Sequence, residues 1–336
     1  MEVYNNINSF KLDDNDYLFF DIFCRNNELI LIIPTLPINV LQKLNIYCNS
    51  ILIDKIKYDH STRWSRVLCY EININSDEIV NITVQSNSKI QEYKLQHLML
   101  NKSLTLTQTT LFKDDSFLLN KFINYYLKSG VDHFFLYYNG NNIINNIESK
   151  FLKSVTLIEW NYSYYYNNIR GYVYAQETQM NHSLYKYGKP LSQYIIYNDL
   201  DEYMLTKKKT IREYVLNYQN VDTFMFLNIW ADTMDTIDNI TEYYNHIQQD
   251  LNLPTEFYIS KYINDPKIHS KCIHKTDSLY ILNSIHFGEH YVNTKNIIFN
   301  NLYMFHFFRW VPSHIDHPVR TRENMGIREY LVYKNL

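Results

Sequence analysis

Between residues 103 and 201 strand-type and helix-type patterns alternate three times, and the last strand runs straight into Asn198-Asp199-Leu200-Asp201-Glu202. The strand-like runs cover 103–107, 131–138, 154–160 and 193–197. Between the first two, Leu118, Phe122 and Tyr125 recur at helical spacing, and Gly130 is placed to end that helix. A shorter helix is expected near 143–151, and another over 171–187, stopped by Gly188-Lys189-Pro190. Such alternation is the pattern of an α/β fold with a mostly parallel central sheet and right-handed crossovers. Ligands bind such sheets beyond the carboxyl ends of the strands. The loops near 107–114, 139–141, 160–161 and 199–202 are therefore the expected binding edge, which makes Thr107, Thr110 and Asn139 candidate contacts to a ligand.

The first hundred residues read differently. Short runs over 17–23, 28–33, 48–58, 67–74 and 78–85 are rich in β-branched and aromatic residues, with no long helical period between them. That predicts a small β-rich, sandwich-like unit over 1–100, followed by the α/β unit over 101–336.

Composition removes several functions. A net charge of −3 gives no basic field for nucleic acid, and Lys207-Lys208-Lys209 reads as a solvated turn. With 6 glycines in 336 residues there is neither a GxGxxG nor a GxxxxGK[ST] sequence, so dinucleotide-binding Rossmann sites and P-loops are excluded. Cys24, Cys48, Cys69 and Cys272 never fall in a CxxC pair, which argues against zinc. No apolar stretch is long enough for a transmembrane segment and the first residues are too polar for a signal peptide, so the expectation is a soluble, cytoplasmic chain.

The acidic cluster has a definite chemistry. Carboxylates at i and i+2 on an extended segment point to one side, so Asp199 and Asp201 can face one cation or its water shell. Magnesium or manganese suits such oxygen ligands and neutralises a diphosphate leaving group. Asp-x-Asp alone discriminates poorly, because Asp14-Asn15-Asp16 repeats it in a polar turn. The copy at 199–201 differs in being delivered by an apolar strand.

The phrases leading to it resemble glycosyltransferase family 92. Lys128-Ser129-Gly130-Val131-Asp132-His133-Phe134-Phe135-Leu136-Tyr137-Tyr138-Asn139 is similar to one family phrase. Gln176, Asn181-His182-Ser183 and Asp199-Leu200-Asp201-Glu202-Tyr203 follow in the family's order, with Ser183 in place of the family's cysteine. The resemblance spans about 102–310 and implies the GT-A architecture, a UDP-sugar donor, Mn²⁺ or Mg²⁺, and inverting transfer to a hydroxyl of a glycan or glycoconjugate. Animal members suggest galactose as the sugar. They also carry a membrane anchor, which this sequence does not, so a microbial or viral cytoplasmic enzyme fits better.

Carried onto this chain, the resemblance makes Asp201 the direct metal ligand and puts Asp199 on the ribose or the metal's water. A C-terminal histidine often completes such a site, and His286 is preferred over His306, with a core role open for either. Gln176 and Lys271 are candidate donor contacts, Lys271 through a phosphate. A carboxylate must take the acceptor proton. Asp232, after the strand predicted over 223–230, is the first candidate, and Glu289 and Asp235 are alternatives. Trp230 offers an acceptor sugar a stacking face. Two other readings remain: a non-catalytic carbohydrate-binding protein with this fold, and a metal-dependent nucleotidyltransferase. The second would want the glycine-rich loop that is absent.

Overall fold

The computed structural model describes residues 6–12, 16–34, 44–74, 78–87, 89–140, 147–165, 174–206, 209–233, 250–254, 256–260, 269–284, 288–290, 297–298, 302–311 and 327–332. Most described strands fall in two sheets, which change over between Leu98 and Leu104.

The first sheet has eight strands from Asp21–Arg25 to Lys89–Leu98. It is antiparallel except where Lys89–Leu98 joins Asp21–Arg25, and it folds over at that join. Its two halves share one core, in which Ile22, Leu29, Leu31 and Leu68 meet Ile46, Val80, Ile82, Val84 and Leu95. Strand alternation explains this: in Ile79–Ser86 every second residue is buried. Glycine is scarce, so asparagine supplies the left-handed turn residues. Asn26 and Asn27 (φ 45° and 60°) join Asp21–Arg25 to Glu28–Pro34. Asn49 and Ser50 (φ 47° and 69°) join Leu44–Cys48 to Ile51–Ile53, which breaks the single run predicted over 48–58.

The second sheet runs Val155–Glu159, His133–Tyr138, Leu104–Phe112, Ser192–Tyr197, Lys271–Lys275, Thr223–Asp232, Glu256–Ser260, Ile327–Val332. Its first four strands are parallel, as the alternation predicted. The next four are antiparallel, so the sheet is mixed and the expectation of a mostly parallel sheet is corrected. Beyond residue 205 a short helix, Ile211–Asn217, opens on a capping box of Thr210 and Glu213 ahead of Thr223–Asp232. A further pair, Glu202–Leu205 with Tyr303–Phe307, attaches to Thr223–Asp232.

Helix Leu119–Lys128 covers one face of this sheet with Leu119, Phe122, Ile123 and Tyr126, one stripe at i, i+3, i+4 and i+7. Gly130, at φ 95°, ends it, and a Cβ there would lie 2.5 Å from Arg212 Cβ. No described helix is long and apolar enough to cross a membrane.

Helix Tyr174–Ser183 lies between the two sheets and has no apolar stripe. Its polar residues are buried because each bonds a different neighbour. At its end, His182 receives or donates through Nδ1 to Tyr137 Oη at 2.7 Å, and its Nε2 meets Asp21 Oδ2 of the first sheet at 2.8 Å. Lys186 Nζ donates to the same Asp21 oxygen at 2.7 Å, and the Asn8 amide donates to the other at 2.7 Å. Asp21 and His182 are fully buried. Burial holds the His182 ring down at about 4 despite Asp21 beside it. Burial alone would raise Asp21, but Lys186 and His182 outweigh it and keep the carboxyl below its ordinary value.

Removing Asp21 takes an acceptor from Lys186, half-buried and still donating to Asn6 O, and the Nε2 partner from the buried His182, so Asp21→Ala is expected to cost about 1–3 kcal/mol at pH 7 by chemical denaturation. Histidine in an unfolded chain titrates near 6.5, so the unfolded state binds more protons between about pH 6.5 and 4. Stability from His182 is complete above that window and falls as pH falls through it. Between pH 7 and 5 the wild type should therefore lose roughly 2 kcal/mol more than His182→Asn. Equal losses would contradict the buried, neutral assignment.

Candidate active site

The acidic turn is shaped by the residues around it. After Ser192–Tyr197 the chain bends at Asn198, whose amide donates to Glu202 O at 2.7 Å and Tyr126 Oη at 2.8 Å. Tyr126 Oη in turn donates to Glu202 O at 2.8 Å, and Gln108 Nε2 holds Asn198 Oδ1. Leu200 is buried in the core, and the Glu202 amide donates to Asp199 O at 3.1 Å, so Asp199 and Asp201 sit in a turn and not on the extended segment expected from their spacing. Glu202–Leu205 then pairs with Tyr303–Phe307, and this register sets His306 opposite Glu202.

Three strands thus deliver charge to one place. Lys271 Nζ, 3% exposed, lies 2.7 Å from Asp199 Oδ2 and 3.1 Å from Glu202 Oε2. Glu202 Oε2 also accepts from the Asp199 amide at 2.7 Å. His306 Nε2 is 3.2 Å from Asp201 Oδ2, and its Nδ1 is 3.6 Å from Glu202 Oε1. The Trp230 ring covers His306, with centroids 4.5 Å apart. On the other side Gln176 Nε2 donates to Asp199 Oδ1 at 3.4 Å, while its Oε1 accepts from Tyr164 Oη at 2.7 Å. A small open recess lies there, lined by Thr109, Thr110, Gln176, Gln179, Asp199 and Lys271 among others.

The electrostatics follow from crowded, buried carboxylates. Burial, with the Asp201 charge second, pushes Asp115 up to about 7. Burial pushes Glu202 up to about 7 although Lys271 opposes it. Burial disfavours charge on Lys271 and His306, but the carboxylates win and both stand above their ordinary values. Negative charge is in excess here. Among the described residues no three His, Cys, Asp or Glu side chains form a ready-made ion cage. The Asp201–His306 pair offers one oxygen and one nitrogen.

The sequence candidates divide accordingly. Thr110, Gln176, Asp199, Asp201 and Lys271 come together around the cluster and its cleft. Thr107 does not. Its strand runs on to Phe112, so Thr107 is fully buried in mid-strand with Oγ1 donating to Ser192 Oγ at 2.9 Å. Asn139 spends its amide on Trp160 O and Tyr162 O at 2.6 and 2.8 Å. Asp199 is bridged to Lys271. Asp232 is 1% exposed and lies 3.5 Å from Arg309 Nε. Glu289 sits on Gly288–His290, paired with Leu279–Leu282 in a separate two-stranded sheet. His286 and Asp235 lie outside the described residues. The histidine that meets Asp201 is His306.

Asp115 is not among the sequence candidates, because an acidic residue just ahead of a helix is ordinarily a cap. Its side chain makes no cap bond to the following turn and accepts instead from the Lys113 amide at 3.2 Å. The available signal was its place just past a parallel strand, on the binding edge.

A family model for glycosyltransferase family 92 matches residues 102–332, a span that takes in every strand of the second sheet. The chain belongs to glycosyltransferase family 92, and it is a glycosyltransferase. No curated protein matches it. Among solved structures, the amylomaltase from Corynebacterium glutamicum aligns over 35% of this chain and 20% of its own, at 12% identity and a TM-score of 0.15, a likeness that carries no argument.

Lys271→Met should destabilise the fold by about 3–5 kcal/mol, since two carboxylates would then share a buried edge without their cation. Glu202→Gln in the same chain should restore part of it. A double-mutant cycle by calorimetry is expected to give a coupling of about 1–3 kcal/mol, and strict additivity would deny the bridge.

Proposed function

We propose that the chain transfers a sugar from a UDP-sugar to a hydroxyl of a glycan or glycoconjugate, using a divalent cation. In this reading residues 101–336 form a GT-A type donor-binding unit and residues 1–100 an accessory β-rich unit. The observation that supports it best is the Asp201–His306 pair, 3.2 Å apart, beside the Lys271 bridge at the carboxyl edge of Ser192–Tyr197.

Mn²⁺ or Mg²⁺ fits this donor set. Asp201 would give either ion the carboxylate oxygen it prefers, the imidazole nitrogen suits Mn²⁺ better than the harder Mg²⁺, and both usually draw their other ligands from substrate phosphates and water. Asp201 and His306 would hold the ion. When bound, it supplies charge neutralisation for the departing diphosphate. Lys271 adds a fixed ammonium beside it, and Asp199 and Glu202 keep that ammonium charged and aimed. Gln176 and Thr110, on the far side of Asp199, are assigned to the nucleoside. Asp232 is assigned to the acceptor proton. It ends the strand Thr223–Asp232, two residues past Trp230, and the acceptor must approach opposite the diphosphate for an inverting displacement.

UDP should raise the melting temperature only when Mn²⁺ or Mg²⁺ is present. Asp201→Ala and His306→Ala should each remove that increment, and retention by both would sink the ligand assignment. Asp232→Asn is expected to lower turnover about 100-fold or more while UDP with Mn²⁺ still protects the fold. Undiminished turnover would move the base elsewhere.

A further inference from the structure

Asn228 has no part in the machinery above, yet it is the most conspicuous polar residue beside it. The side chain is 1% exposed, and among the described residues neither its Nδ2 nor its Oδ1 has a hydrogen-bond partner. A buried amide left wholly unpaired loses its hydration with nothing in return. Native proteins retain few such groups, and a ligand that pairs with them is one reason they persist.

Its position says which ligand. Within Thr223–Asp232, residues two apart share a face, so Asn228, Trp230 and Asp232 stand in a row. The neighbouring parallel strand sets Met304 beside Asn228 and His306 beside Trp230. Asn228 is thus two register positions, on the same face, from the histidine that meets Asp201. In the sheet order its strand stands on the far side of Lys271–Lys275 from Ser192–Tyr197, which leads to Asp199. The order across the site is nucleoside cleft, then Lys271 with Asp201 and His306, then Trp230 and Asn228. A sugar attached to the diphosphate falls at this last station. His269, with backbone in the left-handed region at φ 61°, packs its ring 5.1 Å from Trp230 and walls the same corner.

Resting on the donor assignment above, we infer that Asn228 reads two neighbouring hydroxyls of the transferred sugar, with Trp230 as the apolar wall beside them. A side-chain amide presents donor and acceptor in one plane, and two adjacent hydroxyls each donate and accept, so the pair satisfies both orphaned atoms at once. Swapping the configuration of one hydroxyl breaks the match, which makes Asn228 a specificity-determining residue and not a catalytic one. A site built to hydrogen-bond a hydroxyl discriminates strongly against a donor that misplaces it.

The test is donor hydrolysis without acceptor, over UDP-galactose, UDP-glucose and UDP-N-acetylglucosamine with Mn²⁺. The readout is the ratio of kcat/KM between the best and second-best donor. Asn228→Leu, of similar shape and with no polar atoms, and Asn228→Ala should each shrink that ratio about tenfold or more. UDP with Mn²⁺ should bind both variants as it binds the wild type, and Asn228→Leu should melt no lower. A ratio unchanged in both variants while UDP binding is kept would overturn the inference, since the amide is then held by water. A change seen only in transfer to an acceptor would overturn it in favour of an acceptor contact. A wild type that neither binds nor hydrolyses any of these donors would overturn it together with the UDP-sugar assignment, and that failure is read before any variant is made.

Discussion

One ammonium holds the acidic edge together. Lys271, almost fully buried, is shared by Asp199 and Glu202, while Asp201 turns to His306 and Asp115 crowds behind. Like charges at this density stay ionised only with a cation among them. The sheet supplies that cation by reversing direction. An antiparallel strand begins where its parallel neighbour ends, so Lys271–Lys275, laid against Ser192–Tyr197, brings its first residue to the carboxyl edge. The departure from a parallel sheet is therefore what completes the site. The same logic brings His306, through Tyr303–Phe307 pairing with Glu202–Leu205.

The first sheet is joined to this site through a polar helix. Along Tyr174–Ser183, Gln176 reaches Asp199, Glu177 accepts from Thr62 Oγ1, Gln179 donates to Thr109, Asn181 grips Leu282, and His182 meets Asp21. A helix polar on all sides gains little from burial itself. It is held by having a partner for each group, and those partners come from both sheets. The β-rich segment thus holds the helix that carries Gln176, through Thr62 on Glu177 and Asp21 on His182.

Much of this was legible in the sequence, and the gaps have physical causes. The parallel half of the second sheet followed from strand–helix alternation, and the edge carrying Asp199 and Asp201 followed from its topology. The antiparallel half was hidden because strands such as Lys271–Lys275 and Tyr303–Phe307 are short and lack an intervening helical period. His306 could not be chosen over His286 because partners a hundred residues apart are decided by register, which local patterns do not carry. Thr107 was misplaced by a strand end read five residues early. Asn228 gave no signal at all, since an asparagine in an apolar strand is informative only once its neighbours are known.

In the proposed function a divalent cation at Asp201 and His306 serves a UDP-sugar. Release of UDP from a panel of UDP-hexoses, measured before and after removal of divalent cations, addresses it most directly. Release from at least one donor that disappears on chelation and returns with Mn²⁺ or Mg²⁺ is the expected result. Release that persists in the chelated protein, or no release from any donor with either ion, would contradict it.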